Sequence, residues 1–217
     1  YEGARDIVQR FLNASSRQEI VFAKNVTEAI NLVAYSYARR VLEAGDEIII
    51  TDMEHHSNIV PWQMIRDERG IVLKYVSCTD DGEFRIEDLA RLITPKTKLI
   101  SLTHVSNVMG TVVPIREVAK LAHDNGAKLI VDGAQAVMHM SVDVQDLDCD
   151  FYAFTGHKIY GPSGIGVLYG KAELLDAMPP FLGGGDMIST VTMEKSTWAA
   201  LPAKFEAGTP PIAQAVG

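Results

Sequence analysis

Short apolar runs alternating with helix-length segments predict an α/β protein: a mainly parallel central sheet with helices on both faces. Three observations carry this reading. Runs such as Ile48-Ile49-Ile50 are apolar without alternation, as suits strands buried on both faces. Amphipathic stretches of helical spacing stand between most of them. Turn residues such as Gly45-Asp46 and Gly70 fall at the junctions. With 217 residues, 47% of them hydrophobic, one substantial core and one domain are expected.

In chain order, residues 1–13 read as a helix and 19–22 as a strand. A helix over 27–43 follows from the spacing of Ile30, Val33, Ala34, Tyr37 and Val41. Strand 47–50 comes next, then helix 57–69, closed by Gly70. The alternation continues with strand 71–76, helix 86–93, strand 97–102, helix 114–124 and strand 127–131. Strands 150–154 and 165–169 break the rhythm, because a Gly/Pro-rich connection too short for a helical crossover predicts a hairpin-like pair. Beyond Pro179, the Gly and Pro residues predict ordered loops or the start of a further subdomain. No internal repeat is visible.

Composition narrows the functions. A net charge of −8, from 20 basic and 28 acidic residues, argues against nucleic acid as the main partner. No run approaches the roughly 18 apolar residues of a membrane span, so no membrane partner is expected. The two cysteines, Cys78 and Cys149, lack metal-ligand spacing and predict a reducing, cytoplasmic setting. The chain opens at Tyr1 as if already inside a helix, which reads as a piece of a longer protein.

In open α/β sheets, ligands bind beyond the carboxyl ends of strands. Asp132 ends one apolar strand, and Thr155, His157 and Lys158 follow another. His55 and Asn107 follow two more. A lysine amine can form a Schiff base with the aldehyde of pyridoxal phosphate (PLP), and a carboxylate can keep the pyridine nitrogen protonated so that the ring draws off electrons. Asn25-Val26-Thr27-Glu28 opens an amphipathic helix whose free N–H groups suit a phosphate. On its own, that run reads more readily as plain capping by Asn25 or Thr27. Gln135 could donate to a ring oxygen, and His55 could stack on the ring. His104, His123 and His139 read as structural. Each signal is weak alone, and their joint order raises the odds. Gly161-Pro162-Ser163-Gly164-Ile165-Gly166 opens a strand and lacks GxGxxG spacing, which argues against a dinucleotide. His55-His56 lacks the i, i+4 geometry of helical zinc motifs, so no metal site is expected.

The run Asp132-Gly133-Ala134-Gln135, the segment from Asp150 through Lys158 and the segment from Tyr160 to Gly170 together resemble a class V, fold-type I PLP enzyme. More narrowly they resemble the group II, SufS-like cysteine desulfurases. Thr27–Ala34, Glu54–Trp62, Ser106–Gly110 and Phe205–Pro210 extend the likeness from end to end. The resemblance implies that residues 1–217 are the PLP-binding large domain, with an N-terminal segment and a C-terminal small domain outside them.

It also implies roles. Lys158 would hold PLP and move the Cα proton; Asp132 would pair with the ring nitrogen; Gln135 would contact the ring oxygen; His55 would stack on the ring and assist proton transfer. Val26 N–H, Thr27, Thr155 and His157 would hold the phosphate. Asn107 would lie near the ring oxygen and the substrate carboxylate. Thr209 would reach the phosphate site of a second subunit, which implies a homodimer. The implied substrate is L-cysteine or L-selenocysteine, and the implied sulfur route runs through an enzyme persulfide to an acceptor protein for iron–sulfur cluster assembly. The nucleophilic cysteine and the arginine that clamps the substrate carboxylate would lie beyond Gly217. Thr155 stands where many relatives have Ser, and Pro211 where Asn is usual. Selenocysteine lyase, epimerase and aminotransferase chemistries share the same lysine and aspartate, and a non-catalytic PLP-fold binding partner is a further reading.

Overall fold

The computed structural model describes residues 1–217. A sheet of seven strands forms its middle: β1 (Ile20–Ala23), β2 (Glu47–Thr51), β3 (Val72–Val76), β4 (Thr97–Thr103), β5 (Lys128–Asp132), β6 (Phe151–Thr155) and β7 (Gly166–Gly170). Their order is β1-β7-β6-β5-β4-β2-β3. The four pairings from β6 through β3 are parallel, and β7 runs antiparallel to both β6 and β1. The expected hairpin-like pair is therefore β6–β7, with Thr155 opposite Gly166.

Eight helices accompany the strands. α1 is Glu2–Phe11. α2 starts as Val26–Leu32, widens into a π-helical stretch at Val33–Ala38 and ends with Arg39–Val41. The remainder are α3 (Val60–Arg69), α4 (Ile86–Leu92), α5 (Ile115–Asp124), α6 (Val144–Leu147), α7 (Ala172–Ala177) and α8 (Ile212–Val216). The expected helix 57–69 is split: a short 3-10 turn, His56–Asn58, precedes α3, and Gly70 ends α3 in the left-handed region as expected. Sequence periodicity missed α6, α7 and α8, which have four to six residues and are too short to show a repeat. It also missed a two-stranded hairpin, β8 (Ile188–Val191) and β9 (Ser196–Trp198), whose mostly exposed residues carry no buried face to pattern.

Side chains alternate across the sheet, so the continuous apolar strands feed two cores. Ile49, Leu129, Val131, Tyr152 and Phe154 face one core with α4, α5 and α6. Ile48, Ile50, Ile130, Phe151 and Ala153 face the other with α2 and α3. The edge strand β1 is closed by a buried ion pair. Arg5 donates to the Ile20 carbonyl at 2.7 Å, and Glu206 accepts from Phe22 N–H at 2.7 Å and from Arg5.

A second charged knot ties the amino ends of β5 and β6. The fully buried Asp150 carboxylate accepts from Leu129 N–H (2.8 Å), His123 Nε2 (2.8 Å) and Lys128 Nζ (3.2 Å). Removing one member of a buried ionic cluster leaves the others uncompensated, at a cost of about 3–5 kcal/mol. Asp150→Ala should therefore lower the unfolding free energy by about that amount in urea denaturation. A loss below about 1 kcal/mol, the scale of exposed pairs, would show that the knot is solvated rather than buried.

Candidate active site

The carboxyl ends of β2, β4, β5 and β6 open onto one cavity of about 250 Å³, together with the start of α2. Val26, Thr27, His55, Asn107, Asp132, Gln135, Thr155, His157 and Lys158 all line it. These are nine of the ten residues singled out from the sequence. The tenth, Thr209, lies outside it, exposed in a cleft beside Phe22, Lys24 and Glu206. Asn25, Ser57, Thr103 and Ala134 line the cavity as well and were not singled out as binding residues. Ser57 and Thr103 follow or end strands that were correctly read, so strand position was the available signal.

Asp132 is 3% exposed. Its Oδ1 accepts from Ala134 N–H at 3.0 Å, and its other oxygen has no donor within the chain. Burial pushes the carboxyl up from its ordinary range, while the Ala134 N–H and the charge of Lys158 pull it down. Tyr152 packs under this turn: the chain reverses so tightly that a Cβ on Gly133 would fall 2.0 Å from the Tyr152 ring. The ring itself is held by His104, whose Nδ1 lies 3.0 Å from the Tyr152 hydroxyl. Burial drives His104 down to about 4 and Tyr152 well above its ordinary value, so the phenol donates to a neutral imidazole. The structural reading of His104 is thus borne out.

Lys158 sits half-buried on a 3-10 turn, Gly156–Lys158, directly after β6, with its amine free of protein partners. On the same turn, Thr155 Oγ1 and His157 Nδ1 are 3.1 Å apart. Across the cavity, Asn25 caps α2 by accepting from Glu28 N–H at 2.9 Å. This settles which residue caps: Asn25 does, and the Thr27 hydroxyl is left for the cavity. The N–H groups of Val26 and Thr27 belong to the first turn, which a helix leaves unpaired. Gly166 on β7 makes this arrangement fit, because a Cβ there would come 2.5 Å from Asn25 Cα.

His55 lies on the β2–α3 connection, with its Nδ1 2.8 Å from Ser57 Oγ and 3.2 Å from Ser57 N. Its neighbour Glu54 is buried and accepts from Thr51 Oγ1 (2.6 Å), Asn58 Nδ2 (2.7 Å) and Thr103 N–H (3.0 Å). Burial, reinforced by the charge of Asp132, pushes Glu54 up to about 7 despite those donors.

The side chains fit the parts of PLP. The unclaimed Asp132 oxygen suits a ring N–H, the α2 first turn with Thr27, Thr155 and His157 suits a phosphate, and the free Lys158 amine suits an aldehyde. Neither cysteine lines the cavity. Burial and the Asp52 carboxylate push the Cys78 thiol up to about 11, and burial raises Cys149 further. No group of His, Cys, Asp or Glu is arranged to hold a metal ion, and no helix is long and apolar enough to cross a membrane.

The Gly133 contact leads to a prediction. Gly133→Ala must displace either Tyr152 or the Asp132 turn, and overpacking of this kind costs about 1–3 kcal/mol. Thermal denaturation should show that loss, and a variant as stable as the parent would mean that the ring moves aside freely.

Comparison with known proteins agrees with this geometry. The chain is 55% identical over its full length to a cysteine desulfurase of Dickeya dadantii and covers 53% of it. The crystal structure of the cysteine desulfurase CsdA (S-sulfonic acid) from Escherichia coli superposes with a TM-score of 0.97 at 45% identity; all of this chain aligns with 54% of that one. A mutant of C-DES with glycine covalently linked to its PLP cofactor superposes with a TM-score of 0.88 at 29% identity, over 98% of this chain and 56% of that one. The chain therefore spans about half the length of the curated relatives it matches. The aminotransferase class-V family model matches residues 1–217 without interruption. On fold, site order and sequence alike, the chain belongs to the aminotransferase class-V family.

Proposed function

We propose that residues 1–217 are the cofactor-binding large domain of a PLP-dependent cysteine desulfurase, which converts L-cysteine to L-alanine and passes the sulfur on as a persulfide. The observation that carries this is the convergence of Lys158, Asp132, His55 and the α2 N-terminus on one cavity. The family relatives support the same reaction.

When bound, PLP supplies an electron sink for the charge left at Cα once its proton departs. The protein's own groups do the remainder. Lys158 would hold the cofactor and, once exchanged for the substrate amine, carry the Cα proton on its Nζ. Asp132 would accept the ring N–H through its unclaimed oxygen and keep that nitrogen protonated. Val26 N–H, Thr27, Thr155 and His157 would hold the phosphate, Gln135 the ring oxygen, and Asn107 the neighbourhood of the substrate carboxylate. His55 would stack on the ring and assist proton transfer.

Thr209, exposed and turned away from its own cavity, would serve the phosphate site of a second copy, which makes the working unit a homodimer. The attacking thiolate has to come from outside residues 1–217, because Cys78 and Cys149 have raised pKa values and lie outside the cavity. No arginine lines the cavity either, so a clamp on the substrate carboxylate would likewise come from outside these residues. An acceptor protein would then take the sulfur for iron–sulfur cluster assembly, and the two free thiols suit a reducing cytoplasm.

Two variants of the full-length protein test the assignment. Lys158→Ala should abolish the visible absorption of the lysine-bound cofactor and all alanine formation. A normal spectrum in that variant would exclude Lys158 as the attachment point. Asp132→Asn should retain part of the cofactor but lose about 10²-fold or more in turnover, the scale of one electrostatic partner removed from a reacting centre. Unchanged turnover would remove Asp132 from the reaction.

A further inference from the structure

We propose that Glu54 is a positioning residue for His55, its carboxylate locking the turn 52–58 onto the ends of β2 and β4 so that the imidazole is presented to the cavity in one orientation. Glu54 is 7% exposed, and both of its oxygens are engaged. One oxygen accepts from Thr51 Oγ1 at the end of β2 and from Thr103 N–H at the end of β4. The other accepts from Asn58 Nδ2. The Asn58 amide cannot turn over, because its Oδ1 already accepts from Trp62 Nε1 (3.0 Å) and Ser101 Oγ (2.5 Å).

Only His55, His56 and Ser57 separate Glu54 from Asn58, and His55 caps the 3-10 turn His56–Asn58. Ser57 N–H can only donate, so Nδ1 of His55 is an acceptor and the imidazole carries its proton on Nε2. Glu54 thus fixes both ends of the turn, the turn fixes Ser57, and Ser57 fixes the ring nitrogen that faces its own backbone. Nε2–H is left as the polar group for the cavity. A buried carboxylate with three donors is a costly way to stabilise a loop, but a fully satisfied network specifies one geometry.

The proposal rests on the role given to His55 above, and the test separates the two. In the full-length protein, Glu54→Gln sets an amide NH2 against either the Asn58 NH2 or the Thr103 N–H, both of which can only donate. Turnover of L-cysteine should fall about ten- to hundredfold, the scale of a reacting group misplaced by about 1 Å. In a His55→Gln background the same change should cost nothing further, since coupled neighbours are not additive. Equal losses in both backgrounds would overturn the proposal.

Nitrogen-15 spectra of the cofactor-free protein give a readout independent of activity. Glu54→Gln should move the His55 ring nitrogens towards the average of two tautomers and leave His123 and His139 in place. Unmoved His55 signals would also overturn it. Should the ring nitrogens move while His55→Gln retains full turnover, the positioning stands and the catalytic role of His55 falls. Thr51→Val removes one donor at nearly constant volume and provides the same cycle and spectra if Glu54→Gln does not fold.

Discussion

The half-satisfied carboxylate of Asp132 is the constraint around which the rest of the site is arranged. A buried carboxylate is costly unless it is paired, and only one of its oxygens is held by the chain. The charge of Lys158 offsets part of that cost. It can do so only if β6 reaches the same edge of the sheet as β5. Parallel pairing of β2, β4, β5 and β6 guarantees this, because every parallel strand delivers its carboxyl end to one side. Beneath the carboxylate, Gly133, Tyr152 and His104 form a rigid floor, so the turn cannot relax by letting Asp132 swing away.

The charged groups of the molecule are divided by the sheet's polarity. At the carboxyl edge, Asp132, Lys158 and the first turn of α2 keep polar groups open to the cavity, beside the closed Glu54–Asn58 network. At the amino edge, they are closed on one another. Asp150 collects His123, Lys128 and Leu129 N–H, and Glu47 collects Lys74, Thr94 and Thr97. A polar group satisfied within the chain is poorly available to a ligand, and one left open is destabilising until a ligand or water meets it. That asymmetry identifies the functional edge without reference to any relative.

Much of this was legible in the sequence, for definite physical reasons. The β5 strand ending at Asp132 and the β6 strand leading to Lys158 are apolar runs closed by a polar residue, and strand polarity then places both at one edge. The Asn25-Val26-Thr27-Glu28 run marks a helix start, although only the structure assigns the cap to Asn25. What stayed hidden depends on tertiary neighbours. Nothing local marks Glu54 as buried, because its donors include Thr103 from a distant strand. Gly133 reads as an ordinary turn glycine until Tyr152 is found beneath it. The hairpin β8–β9 and the short helix α6 leave no periodic trace. The π-helical stretch Val33–Ala38 keeps the apolar spacing of a helix, so the expected helix 27–43 was right in place and wrong in winding.

The position of Thr209 follows from a contact at the far end of the sheet. Glu206 has both carboxylate oxygens occupied by Arg5, which is 1% exposed, and it also accepts from Phe22 N–H and the Tyr1 hydroxyl. A bidentate arginine–carboxylate pair fixes direction as well as distance. The segment that follows is therefore anchored to β1 three residues before Thr209, and β1 leads directly into Asn25 and the first turn of α2. The same strand that leads the first turn of α2 to the cavity thus holds the segment carrying Thr209 outside it. The ion pair closes a sheet edge that would otherwise expose unpaired backbone groups. In doing so it fixes where the exposed Thr209 stands relative to the chain's own cavity.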